Sequence, residues 1–320
     1  MSDKIKTYKS AGVDIEKGDR FAKLIKNIKS EAILKSLGGF SGGIELEIKN
    51  YQKPVLLSTT DGVGTKLLIA KKLNDYSTVG IDLVAMCIND LLVCGAKPLL
   101  FLDYIACGQL NEAILMEVME GIVKGCEKAR VKLAGGETAE LPDMYNTDDL
   151  DLAGFAVGIA DKKNILPQVN KIEKGDYILG IPSNGIHSNG FSLARKVIPE
   201  SDSRSQKELL IPTKIYSNEM EIVLKTGKVL AAAHITGGGI IGNLKRIIPD
   251  KLDLKLYNNW NIPGIFKTIQ EYGKITDEEM SKVFNMGIGI CIIVKRDIKG
   301  SIVQFAQSQN ILLMHIGELI

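Results

Sequence analysis

Short polar clusters carrying glycine recur at four places in this chain, each close behind an apolar run: Thr59–Lys66, Gly135–Glu140, Ser183–Gly190 and His234–Gly239. An apolar run that ends in glycine and small polar residues reads as a regular element feeding a tight turn. Glycine also lets the backbone approach a ligand closely. The chain has 32 glycines in 320 residues, against a usual level of about 7%. Hydrophobic residues make up 45% of the chain, enough to form proper cores, which rules out a disordered or low-complexity chain. At roughly 100–200 residues per domain the length fits two domains. The polar stretch Asp161–Asp176, with Pro167 and Gly175, is the best boundary, so the expected division is 1–166 and 167–320.

The formal charge of +2 gives no broad basic field, so no nucleic-acid partner is expected. Cys87, Cys94, Cys107, Cys126 and Cys291 form no CxxC pair; Cys87, Cys94, Cys126 and Cys291 lie in apolar or small-residue surroundings, so a structural role is expected for these four. No apolar run approaches the length of a membrane span, and the polar start MSDKIKTYKS lacks a signal-peptide core. A cytoplasmic protein without a membrane partner is the expectation.

Hydrophobic periodicity assigns the elements. Residues 1–40 read as a partly ordered arm leading to a short helix near Asp19–Leu37. Ile44, Leu46 and Ile48 alternate with charged residues, as on a half-buried strand. Further strands are expected at Pro54–Ser58, Leu99–Ile105, Lys132–Ala134, Ala153–Ala160, Tyr177–Pro182 and Ile288–Val294. Helices are expected over Gly80–Cys94, from an Asn111 cap to about Ala129, from Ser217 to about Ala233, and after a Thr276/Glu279 capping box. Residues 199–212 read as a loop.

The clusters then supply the chemistry. In TTDGVGTK, Asp61 offers a hard oxygen for Mg²⁺, Gly62 and Gly64 permit close approach, and Lys66 offers a point charge for phosphate. The spacing is not that of a Walker loop. Asn89 and Asp90 interrupt an apolar run and must be paired, metal-linked or at an edge. Asp82 reads more readily as a cap or an internal ion pair. Glu137 and Glu140 lie just beyond a strand, and Asp61, Asp90 and Glu137 form a candidate Mg²⁺ set at a nucleotide triphosphate. His187 suits substrate binding or a plain turn. Thr236 and the glycines after it suit phosphate, and His234 suits proton transfer or a structural role.

Read in order, YKSAGVDI from Tyr8, GGFSG from Gly38, TTDGVGTK, GIDLVAMCINDLL from Gly80, GGETAELPDMY from Gly135, GIHSNGFSL from Gly185, HITGGG and FNMGIGI from Phe284 resemble the phosphoribosylformylglycinamidine cyclo-ligase (aminoimidazole ribonucleotide synthetase) family over nearly the whole chain. The resemblance implies two α/β domains and a homodimer in which the N-terminal sheets join, Ile44–Ile48 and its neighbours contributing. It implies ATP and formylglycinamidine ribonucleotide as substrates with Mg²⁺ as cofactor, giving aminoimidazole ribonucleotide, ADP and phosphate in purine biosynthesis. Phosphorylation of the formyl oxygen turns a poor leaving group into a good one before the ring closes.

Carried over by position, the resemblance assigns Lys26, Gly62, Gly64, Thr65, Lys66, Asp90 and Glu137 to the nucleotide, and Asp61, Asp90 and Glu137 to the metal. It assigns His187, Ser188, Asn189, Thr236, Gly237, Gly238 and Gly239 to the substrate, and His234, Lys26 and Asp61 to catalysis, with His234 the foremost proton-transfer candidate. Cys107, Gln109 and Asp143 depart from the residues common in relatives. A related ATP-dependent kinase, such as thiamine-monophosphate kinase, is the alternative. The maturation enzyme of the same superfamily would need a C-terminal Cys, and selenophosphate synthetase an N-terminal one; neither is present.

Overall fold

The computed structural model describes residues 7–320. Residues 1–6, the start of the expected arm, lie outside the described residues. The first sheet contains β1 (Pro54–Gly62), β2 (Lys97–Cys107), β3 (Lys132–Glu140) and β4 (Leu150–Asp161) in the order β1-β4-β2-β3. The β2–β3 pair is parallel, while β4 runs antiparallel to β1 and β2. Its helices are α1 (Ile15–Asn27), α2 (Leu67–Leu73), α3 (Val79–Val93) and α4 (Glu112–Ala129).

The second sheet is antiparallel, with β5 (Tyr177–Pro182), β6 (Val229–His234), β7 (Leu254–Leu256), β8 (Ile288–Val294) and β9 (Met314–Leu319) in the order β6-β8-β5-β9-β7. Around it lie α5 (Phe191–Val197), α6 (Ser203–Glu208), α7 (Ser217–Lys225), α8 (Gly239–Lys245), α9 (Gly264–Gly273), α10 (Asp277–Val283) and α11 (Lys299–Ser308). Every residue of β8 is buried, as the unbroken apolar run Ile288–Val294 requires.

Helix α3 positions the site. It packs on β1, β2, β4 and α4 and, from the second domain, on β6 and α7. A helix covered on every side has no solvent stripe to spare for its polar residues. Asp82 and Asn89 are accordingly buried within it and bond across the domain seam.

Several expectations need correction. The first helix begins four residues early, where the Asp14 carboxylate accepts the Lys17 N–H at 3.4 Å, and it ends at Asn27. Beyond it the chain turns extended and meets the β3 edge, with Leu133 N–H donating to the Ala32 carbonyl at 2.8 Å. Ile44–Ile48 forms no strand, since nothing among the described residues pairs with it. Residues 199–212 contain α6, capped by Asp202. The helix from Ser217 stops at Lys225; Gly227, at φ +64°, reverses the chain into β6. Strand β3 extends through Glu140, so Glu137 and Glu140 lie in a strand.

Candidate active site at the domain seam

The first sheet sorts the acidic residues by face. Asp61 pairs with Gly154, Gly154 with Asp103, and Asp103 with Gly136, one row across four strands. A Cβ on Gly154 would lie 2.9 Å from Cys87 Sγ of α3, so this row faces the helix layer. Glu137 pairs with Tyr104, one position along, and side chains alternate between faces. Glu137 therefore points to the opposite face. It also stands three strands from β1, roughly 14 Å away at the usual strand spacing. The single carboxylate set Asp61–Asp90–Glu137 is thus divided, and no three His, Cys, Asp or Glu side chains among the described residues converge to hold a metal.

Asp61 and Asp90 remain together. Burial lifts the Asp61 carboxyl above its ordinary range, the Gly62 N–H at 2.7 Å opposes this, and the neighbouring Asp90 charge adds to it. Asp90, on α3, accepts a hydrogen bond from His234 Nδ1 at 3.0 Å, yet its side chain is 41% exposed. Two neighbouring carboxylates are a donor set that fits Mg²⁺ shared with substrate phosphates.

Lys66 does not join these carboxylates. Its ammonium is fully buried, 2.9 Å and 2.8 Å from the two oxygens of Asp82, and also donates to the carbonyls of His187 at 3.1 Å and Ile211 at 2.8 Å. All three hydrogens are used, so the expected phosphate contact is replaced by an internal ion pair. Asp82 Oδ1 also accepts from Ser188 Oγ at 3.0 Å, from Thr213 N at 2.7 Å and from Thr213 Oγ1 at 2.6 Å. Of the two readings expected for Asp82, a helix cap or an internal ion pair, the structure has the ion pair. The pair binds the glycine loop of the first domain to the 187–213 loops of the second, and it commits the Ser188 hydroxyl to the scaffold.

His187 is buried at φ +62° with both ring nitrogens lacking a hydrogen-bond partner among the described residues. Burial first, then the neighbouring His234 ring and the Lys66 and Lys214 side chains, pushes its pKa well below the ordinary histidine value, which keeps the ring neutral at pH 7. Asn189 Nδ2 is likewise buried and unpartnered. The His187 and His234 rings stand 6.5 Å apart, and Thr65 Oγ1 lies 3.3 Å from Ser192 Oγ across the seam. Orphaned polar atoms here cost free energy unless a ligand satisfies them.

The Thr236–Gly239 turn depends on its glycines. Gly239 sits at φ +63°, and a Cβ there would collide with the Ser281 carbonyl. Asn243 of α8 holds the turn, its Nδ2 donating to Thr236, Gly237 and Gly239 carbonyls at 3.3, 3.1 and 2.9 Å. Asn285 similarly donates to the Gly185 carbonyl and accepts from Ser183 Oγ, each at 2.9 Å. Both asparagines are buried and escaped the sequence reading. The available signal was a lone Asn close to a glycine cluster. Lys26 is exposed on α1, and its end folds against Gly38, where a Cβ would lie 2.8 Å from Nζ. Glu140 is engaged elsewhere, accepting from Asp14 N at 2.9 Å and Leu110 N at 2.8 Å.

This two-domain α/β architecture is shared with solved structures at low identity. Thiamine-monophosphate kinase from Stenotrophomonas maltophilia matches with TM-score 0.66 at 17% identity, covering 94% of this chain and 92% of that one. The hydrogenase maturation protein HypE of E. coli matches with TM-score 0.69 at 12% identity, covering 94% and 89%. Models of the AIR synthase related protein match residues 47–160 (N-terminal domain) and 173–320 (C-terminal domain). A phosphoribosylformylglycinamidine cyclo-ligase from Thermodesulfovibrio yellowstonii is 49% identical over 308 residues, 91% of this chain and 90% of that one. The trifunctional purine biosynthetic protein adenosine-3 of Bos taurus is 45% identical over 91% of this chain, and the match spans 31% of that longer protein. The chain belongs to the AIR synthase related family, among its phosphoribosylformylglycinamidine cyclo-ligases.

Proposed function

We propose that this protein uses ATP to close formylglycinamidine ribonucleotide into aminoimidazole ribonucleotide, releasing ADP and phosphate, a ligase step of purine biosynthesis. The observation that carries this reading is the 49% identity to a cyclo-ligase over 91% of the chain, beside a seam that presents carboxylates and unpartnered polar atoms together. The likeness to thiamine-monophosphate kinase, at 17% identity, supports a shared fold and no more.

The chemistry divides into two steps. The formyl oxygen takes the γ-phosphoryl group and ADP departs. A nitrogen of the same molecule then attacks the activated carbon, and phosphate leaves with that oxygen. Mg²⁺, when bound by Asp61 and Asp90, supplies charge screening for the triphosphate. Asp61 and Asp90 present oxygens from β1 and α3. Neutral His187 and the Asn189 amide offer hydrogen bonds to the ribonucleotide, and the Thr236–Gly239 turn offers backbone N–H groups to its phosphate. Holding the reacting nitrogen and carbon in one bound geometry lowers the entropy cost of closure. Lys26 and Thr65 remain the nearest candidates on the nucleotide side.

We assign the protein to the cytoplasm and to a homodimer; among the described residues no helix is long and apolar enough to cross a membrane. The support for a dimer is the outward face of the first sheet, where Leu56 is 58% and Phe155 44% exposed. Leu46 and Ile48 lie exposed nearby in sequence, without a strand partner. A second copy would cover this face and the β1 edge. Incubating the purified protein with ATP, Mg²⁺ and formylglycinamidine ribonucleotide tests the function. Aminoimidazole ribonucleotide and equimolar ADP are expected, and folded protein that forms neither refutes the reading.

A further inference from the structure

Asn89 lies fully buried in α3, and its amide has only one workable orientation. Its Oδ1 accepts the Tyr216 backbone N–H at 3.0 Å, and its Nδ2 donates to the Lys214 carbonyl at 2.9 Å. Backbone groups cannot exchange donor and acceptor roles, so a flipped amide would oppose oxygen to oxygen and N–H to N–H. The same Nδ2 stands 3.4 Å from His234 Nε2. That nitrogen must therefore be the acceptor. The ring proton of His234 then sits on Nδ1, 3.0 Å from Asp90 Oδ1.

Both nitrogens of His234 are consequently committed to consecutive residues of one helix, and the residue is only 5% exposed. A general base needs a lone pair aimed at the proton it takes, whereas the Nε2 lone pair here is aimed at Asn89. We infer that His234 is a positioning residue held in its Nδ1–H tautomer by Asn89: it ties the end of β6 to α3 and fixes Asp90 through Oδ1, leaving Oδ2 for the ligand side. This replaces the proton-transfer role expected from the sequence and rests on the proposed ATP-dependent reaction.

The arrangement predicts which amide can substitute for the ring. An Asn side chain places its nitrogen near the Nδ1 position, and a Gln side chain places it near Nε2. His234→Ala should raise KM for MgATP by about tenfold or more, as losing a partner that orients a ligand does, with a smaller change in kcat. His234→Asn should recover most of that loss and His234→Gln should not. Equal failure of both, or better recovery by Gln, overturns the inference. The wild-type protein gives an independent reading if the variants fold poorly. Imidazole ¹⁵N shifts at neutral pH should show a protonated Nδ1 and a bare Nε2 for His234, and the reverse pattern overturns the assignment. Failure of the wild-type protein to form product would instead defeat the proposed function and leave the ¹⁵N result standing.

Discussion

The two faces of the first sheet are built from the same four strands to opposite ends. On the helix side, Asp61, Gly154, Asp103 and Gly136 form a row packed under α3 and α4, and every polar group there has to be housed. On the outward side, Leu56 and Phe155 are exposed and Tyr104 is half-buried, with Glu137 paired beside Tyr104. Apart from Asp61 and Asp103 the helix side is the usual apolar core, with Phe101, Ile105, Leu133 and Ala156 buried, so apolar side chains lie on both faces. One residue of register separates the two, because side chains alternate along a strand.

That contrast can be broken at several points. The largest effect should come from Asp61→Asn, which removes a charge from the proposed Mg²⁺ site; turnover should fall by roughly a hundredfold or more in a steady-state ADP assay. Glu137→Gln, on the other face, should raise the Mg²⁺ concentration for half-maximal rate less than Asp61→Asn does. An equal or larger rise would put both carboxylates on one ion after all.

Lys66→Met should cost about 3–5 kcal/mol in denaturant unfolding, because Asp82 is left charged, buried and without its cation. Adding Asp82→Asn to it should restore part of the loss. A change under 1 kcal/mol, on the order of a surface pair, would mean that the ion pair does not bind the domains.

Asp103 gives a pH test. Burial pushes its carboxyl up to about 7 from an ordinary 3.8, its own backbone N–H opposing and Glu137 adding slightly. A folded pKa raised above the unfolded one means that the native state holds the extra proton. Stability from this group is therefore full below about pH 4 and is lost as pH rises toward 7. Asp103→Asn should flatten that slope in thermal melts between pH 4 and pH 8, and an unchanged slope would assign the titration to another group. The smallest effect on folding should come from Phe155→Glu, within roughly 1 kcal/mol. Sedimentation should nevertheless show the species shifting to a monomer, and an unchanged mass would sink the dimer face.

Much of this was legible in advance where periodicity is strong. Tyr177–Pro182 and Ile288–Val294 are strands with the expected bounds, and Asn111 caps α4 through side-chain bonds to Ala113 and Ile114. Misreadings fall where local pattern is ambiguous. The alanines at 231–233 favour a helix by propensity, yet they fill a buried strand once Gly227 turns the chain. Ile44–Ile48 has a strand's alternation, but a strand exists only with a partner. The apolar run of α3 signalled that Asn89 and Asp90 needed partners, without naming them.

The sequence by itself determined the glycine clusters, the buried helix with its misplaced polar residues and, through the ordered motifs, the family. Those features depend on neighbours in the chain and on residue type. Tertiary structure decided which side chains remain available for chemistry. Lys66 has a phosphate-binding residue's local setting, but a carboxylate 16 positions on, together with carbonyls 121 and 145 positions on, uses all three of its hydrogens. Glu137 follows its glycines as a ligand should, but strand register turns it to the other face. Hydrogen-bond satisfaction is settled by groups that meet only on folding. No local pattern reveals whether a polar residue has already found its partner.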